Sequence, residues 1–87
     1  MTNGFEEFRR LVKKGIEENL TPSIIPRVSL DELTEETTLG DLDLDSITIY
    51  GAFMPIEERY GLEIPDDYLN DKEISLGKIW NYVRERI

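Results

Sequence analysis

The sequence predicts an all-α fold, a four-helix bundle with a long first loop and a short third helix, filling one domain over residues 1–87. Three observations predict it. Apolar residues recur at three- and four-residue spacings in three separate segments, the mark of helices with one buried stripe. No alternation of apolar and polar residues lasts beyond two cycles, so no strand is in view. Prolines fall between the periodic segments, with Pro55 the exception.

The first helix is capped by Asn3 or Thr2 and carries its stripe at Phe5, Phe8, Leu11, Val12, Ile16 and Leu20. Thr21-Pro22 ends it, because a residue before proline is pushed out of the helical region. Residues 21–45 hold no long periodic segment. Ser29 with Glu32 reads as a capping box for one short turn. Ile24, Ile25, Val28, Leu30, Leu33, Leu39, Leu42 and Leu44 otherwise stand as apolar pegs. A connection of about 25 residues is long for a compact domain. It reads as an ordered loop pinned by its leucines.

The second helix starts at Asp45 or Ser46. Its face runs through Ile47, Tyr50, Phe53, Met54, Glu57 and Tyr60, with Ile49 and Ile56 near the edges, and Gly61 ends it. Pro55 removes the hydrogen bond to Gly51 and crowds its carbonyl, at about 3 kcal/mol in a regular helix. A bend between Gly51 and Pro55 is expected. Leu62, Ile64 and Pro65 form an extended link, and Pro65-Asp66-Asp67 starts a short third helix reaching about Asn70. The last helix runs from Ser75 to the end on Leu76, Ile79, Trp80, Val83 and Ile87. Phe5, Phe8, Phe53, Tyr60, Trp80 and Tyr82 read as core or core edge; Tyr50 and Tyr68 read as exposed.

Composition narrows the function. The 87 residues contain neither Cys nor His, so the chain has no disulfide, thiolate nucleophile, imidazole base or Cys-based metal site. Nineteen acids against ten bases give a net charge of −9. That charge disfavours phosphate backbones and anionic membranes and favours basic protein partners. The charge is concentrated centrally. Residues 21–45 hold seven acids and one base, and residues 46–75 hold seven acids and two bases. No signal region opens the chain and no apolar run is long enough to span a membrane, so a cytoplasmic protein is expected. A discrete monomer, free of nucleic acid, completes that expectation.

Asp41-Leu42-Asp43-Leu44-Asp45-Ser46-Ile47 is the segment with chemical content. Asp41, Asp43 and Asp45 satisfy the first three ligand positions of a calcium loop. Ser46 then stands where that loop requires Gly, and Ala52 where it requires Glu, so the match fails. Ser46 as a nucleophile lacks a histidine. Lys72 and Lys78 are bases by type, but no spacing puts either beside it. The remaining reading is that Ser46 is acted upon. Its hydroxyl sits at a helix start after a long loop, beside the Asp45 carboxylate. That carboxylate suits a hard cation delivered with a phosphate donor. An Asp-Ser pair also serves as a plain helix cap.

Three blocks in register go further. The run LTEETTLGDLDLDSI from Leu33 to Ile47 resembles the loop and Asp-Ser-Leu site of acyl carrier proteins. The run EERYGLEIPD from Glu57 to Asp66 is similar to that family's acidic second-helix end and its E-I-P-D turn, with no gap between the blocks. The run ISLGKIWNYV from Ile74 to Val83 resembles its last helix. The resemblance implies a carrier rather than an enzyme. Ser46 then bears 4′-phosphopantetheine through a phosphodiester, and Asp45 is the acid beside it. The arm's thiol holds acyl chains as thioesters for fatty-acid, polyketide or related lipid synthesis. Partners are a phosphopantetheinyl transferase and acyl-loading and acyl-processing enzymes with basic docking patches. Ile47, Met54, Glu57 and Glu58 carry over to the docking surface, and Ile56 to its neighbourhood or an acyl pocket between the second and third helices that some aromatics line.

The chain departs from that pattern at four places. Asp43 replaces a common Gly, and Thr48 and Gly51 stand where acids are usual, which thins the recognition stripe. Pro55 interrupts the second helix. Two other functions stay open. An aminoacyl or peptidyl carrier commonly shows Gly-Gly-x-Ser before the serine, where this chain has Leu44-Asp45-Ser46. An unmodified acidic protein-interaction module would use the charge alone.

Overall fold

The computed structural model describes residues 4–20 and 29–87. Five helices follow in chain order: α1 (Phe5–Asn19), α2 (Leu39–Leu42), α3 (Ser46–Tyr60), α4 (Asp66–Leu69) and α5 (Leu76–Arg84). No strand occurs among the described residues beyond one isolated bridge between Thr38 and Ser75. The all-α prediction holds, with one more helix than expected.

That helix is α2, inside the segment read as loop. Four residues show no apolar period, so the signal is at its ends. Thr38 accepts a hydrogen bond from Asp41 N at 3.1 Å, and Asp41 Oδ2 accepts one from Thr38 N at 3.0 Å. This is a reciprocal capping box. The box expected at Ser29 and Glu32 is not formed. Ser29 Oγ takes Asp31 N instead, at 3.3 Å, and supports a single 3-10 turn over Leu30–Glu32. The leucine pegs do pin the segment. Leu33, Leu39 and Leu42 are buried, and Leu30 and Leu44 pack against the core.

Gly4 stands at the N-cap position of α1, and the side-chain caps expected at Asn3 or Thr2 fall on residues that are not described. Thr21-Pro22, Ile24, Ile25 and Val28 also lie outside the described residues. Phe8, Val12 and Ile16 put the predicted α1 stripe into the core. α1 packs closest on α3. A Cβ on Gly15 would come within 2.2 Å of the Ala52 carbonyl oxygen, so only the missing side chain permits this approach. Across the contact, Phe8 meets Phe53 and Trp80 at ring-centroid distances of 6.4 and 5.4 Å.

The buried face of α3 is Thr48, Ile49, Ala52, Phe53 and Ile56. This corrects the stripe expected from Ile47, Tyr50 and Met54. Ile47 is 83% exposed and Met54 55%. α3 runs without interruption through Pro55, and Gly61 closes it in the left-handed conformation that suits glycine, at φ 68°. α4 is the short third helix of the prediction, started at Pro65. α5 starts after Ser75 as expected but stops at Arg84, and Ile87 is 62% exposed rather than part of the stripe. Tyr50 and Tyr68 are half-buried against the core, correcting their expected exposure.

Cross-loop hydrogen bonds tie the α2 region to the start of α5. Gly77 N donates to Glu35 O at 2.9 Å, Leu76 N to Thr37 O at 2.8 Å, and Leu39 N to Ile74 O at 3.0 Å. Two of these satisfy amides that the first turn of α5 leaves without an intrahelical partner. A fourth bond, Gly40 N to Lys72 O at 2.8 Å, joins α2 to the segment after α4. The long loop is thereby held against α4 and α5.

Candidate functional site

The segment from Asp41 to Ile47 turns between α2 and α3. Asp43 makes the turn with φ 54° and ψ 45°. It is the only non-glycine residue of positive φ among those described. Aspartate tolerates this region better than most residues do. The glycine-to-aspartate departure at position 43 therefore keeps a glycine-type backbone. The turn delivers Asp45 in extended conformation, φ −73° and ψ 167°, as the N-cap of α3.

Asp45 Oδ1 accepts a hydrogen bond from Thr48 N at 2.7 Å. The Thr48 backbone amide, and after it the Thr48 side chain, hold the Asp45 carboxyl below the usual carboxylate range. A charged cap at the positive end of a fifteen-residue helix is favourable. With that carboxylate turned toward the helix, Ser46 is left as the first residue of α3, exposed to solvent. The three acids before it do not converge. Asp41 bonds back to Thr38, and Asp45 to Thr48. Among the described residues no group of three or more acids gathers around a common point.

Ser46 borders a cleft of about 130 Å³. It is lined by Leu39 and Gly40 of α2, Asp43 and Leu44 of the turn, Ile49 of α3, and Leu69, Asn70 and Lys72. No aromatic residue lines it, which corrects the expectation that aromatics would line a pocket here. Leu69, Asn70 and Lys72 were not legible as neighbours of Ser46. They arrive through the Gly40 to Lys72 backbone bond, a long-range contact with no local sequence signal.

The expected docking residues divide. Ile47, Met54 and Glu58 are exposed along α3. Glu57 is half-buried, and its Oε2 accepts a hydrogen bond from Ile64 N at 2.8 Å, so it braces the link to α4. A second, shallow depression lies between Met54, Glu57, Glu58 and Leu62. Ile56 is fully buried. Thr48 is 3% exposed, so an acid there would face the interior rather than a partner. Gly51 faces α1. A Cβ on it would meet Asn19 Oδ1 at 2.3 Å, while Asn19 Nδ2 donates to Gly15 O at 2.7 Å. Packing against α1 accounts for the missing acid at position 51.

No protein-family model matches the chain, and no solved structure matches it. Curated relatives do. The acyl carrier protein of Lactobacillus acidophilus is 32% identical over 80 residues, covering 91% of this chain and 91% of that one. The acyl carrier protein of Thermobifida fusca is 31% identical over 51 residues, 59% of this chain and 63% of that one. A mitochondrial acyl carrier protein of Dictyostelium discoideum is 36% identical over 59 residues, 68% of this chain and 48% of that one.

Proposed function

The chain belongs to the acyl carrier protein family, and we propose that Ser46 is the residue through which it bears a 4′-phosphopantetheine arm. When bound, the arm supplies a terminal thiol that holds an acyl chain as a thioester. The observation that carries the reading is the exposed Ser46 at the first position of α3, set between the Asp45 cap and an open cleft.

The residues present fit such a group. A modifying enzyme needs an accessible hydroxyl in fixed geometry, and the Asp45 cap together with the Asp43 turn fixes the backbone on which Ser46 sits. Asp45 is the acid beside the hydroxyl, open to solvent on its outer side and suited to a hard cation that accompanies a phosphate donor. The chain's own task is to present and release. Ile47 and Met54 offer apolar contact to a partner, and Glu58, with the outer edge of Glu57, offers charge to basic patches. Charge-led association on a net charge of −9 is fast and salt-sensitive, which suits a carrier that visits several enzymes. The partners of this reading are a phosphopantetheinyl transferase and acyl-loading and acyl-processing enzymes. No helix among the described residues is long and apolar enough to cross a membrane.

Intact-mass measurement after incubation with coenzyme A and a broad-specificity phosphopantetheinyl transferase tests the reading. The native chain should gain one phosphopantetheine and Ser46→Ala none. An unshifted native chain would leave the acidic interaction module. Loading enzymes offered fatty acids and amino acids then separate acyl from aminoacyl cargo.

A further inference from the structure

Among the described residues that line the cleft beside Ser46, one is a cation. That cation is Lys72, and its main chain is anchored there by the 2.8 Å bond from Gly40 N to Lys72 O. Its Cβ lies 3.4 Å from where a Cβ on Gly40 would stand, so the stem starts directly against α2. Beyond that point the side chain is exposed and, among the described residues, forms no ion pair and no side-chain hydrogen bond. Five other cations among the described residues are engaged elsewhere. Lys13 pairs with Asp31, Arg9 with Glu6 and Arg59 with Glu7. Lys78 and Arg86 lie against the rings of Tyr68 and Tyr82.

Negative charge beside Ser46 makes that cation consequential. Asp45 adjoins Ser46. A phosphodiester on Ser46 would add a negative charge beside that carboxylate. Like charges at such spacing repel, and an opposite charge in the same cleft relieves it. The α3 N-terminus contributes less than its length suggests, because the Asp45 carboxylate already takes the Thr48 amide.

We propose that Lys72 is a positioning residue for the prosthetic arm. Its ammonium pairs with the phosphodiester on Ser46 and draws the proximal arm over the cleft mouth, between α2 and the segment after α4. The proposal rests on Ser46 being the attachment point. Lys72 acts on the arm's position and forms or breaks no bond.

The test uses the full chain loaded with unacylated phosphopantetheine whose amides are labelled with ¹⁵N. Intact mass first establishes loading; a chain that fails to load overturns the assignment of Ser46 and is read before any spectrum. On the loaded chain, the amide shifts and ¹⁵N relaxation report the ratio of held to free arm, and the Lys72 Nζ resonance reports the pair directly. Lys72→Gln should lower the held-to-free ratio about five-fold, the upper range for a partly exposed ion pair. Lys72→Arg should preserve most of it, and high salt should reproduce the Lys72→Gln spectrum in the native chain. Lys72 is exposed, so the thermal midpoint of both unloaded variants should equal the native one. Loading with arm signals identical in native and Lys72→Gln chains would overturn the inference and leave the carrier reading standing.

Discussion

The two sides of α3 are built to opposite standards. Toward α1 the helix is packed until backbone nearly touches backbone, with Gly15 against Ala52 and Asn19 against Gly51. Phe8, Val12 and Ile16 meet Ala52, Phe53 and Ile56 there, all fully buried. Toward α2 and α4 the helix borders a cleft that is also lined by α2, by Leu69 of the four-residue α4 and by the segment after it. That side is held by loop hydrogen bonds and by Leu39, Leu69 and Ile49 rather than by a long partner helix. The difference teaches how a chain of 87 residues can keep an open cleft beside Ser46. Small domains have thin stability margins. This one concentrates its packing on the α1 side and keeps a cleft on the other.

The contrast can be broken most severely at Gly15. Gly15→Ala places a Cβ 2.2 Å from a main-chain oxygen that cannot rotate away. Loss of about 3 kcal/mol is expected, the upper end of the overpacking range, despite alanine's better helix propensity. Urea unfolding measures it. A neutral result would show that α1 can shift on α3, and the claim of a rigid side would fail.

The cleft side should respond more mildly. Leu69→Ala removes a buried side chain that borders empty space, so its surroundings can collapse into part of the gap. About 2 kcal/mol is expected, the low end for leucine truncation. A loss matching or exceeding that of Gly15→Ala in the same urea series would erase the contrast.

The smallest effect is a pH response at the α3 cap. Asp45 has a folded pKa below its ordinary value of 3.8, chiefly because of the Thr48 amide. A carboxyl of this kind stabilises the fold fully above its unfolded value, and that contribution fades as pH falls through the folded one. Thr48 amide shifts followed by NMR should therefore hold steady down to the ordinary carboxylate range and move below it. In Asp45→Asn the acid transition should vanish while the cap bond persists. A Thr48 shift that titrates above the ordinary value would reverse the sign assigned here.

The helix-forming segments, the end of α3 at Gly61, the start of α4 at Pro65 and the position of Ser46 at a helix start were all legible in the sequence. Each rests on interactions within a few residues: apolar spacing, a cap, a proline, a glycine. The α2 helix was missed because four residues cannot show a period, although Thr38 and Asp41 carried its capping box in plain view. The buried face of α3 was read one step around the helix from its true position. Ile47 and Met54 are as apolar as Ile49 and Phe53, and composition cannot tell a side chain left exposed from one that meets the core.

By itself, then, the sequence determined where α3, α4 and α5 begin, where α3 ends, which hydroxyl stands at the head of α3, and how much negative charge the chain carries. Tertiary structure alone decided that Gly51 serves α1 and Glu57 braces the α3–α4 link. It also decided that Thr48 points inward and that Lys72 shares a cleft with Ser46. The reason is range. Caps and periods are settled by neighbours along the chain, whereas burial and cleft lining depend on residues brought together from 20 or more positions apart, as Gly40 and Lys72 are.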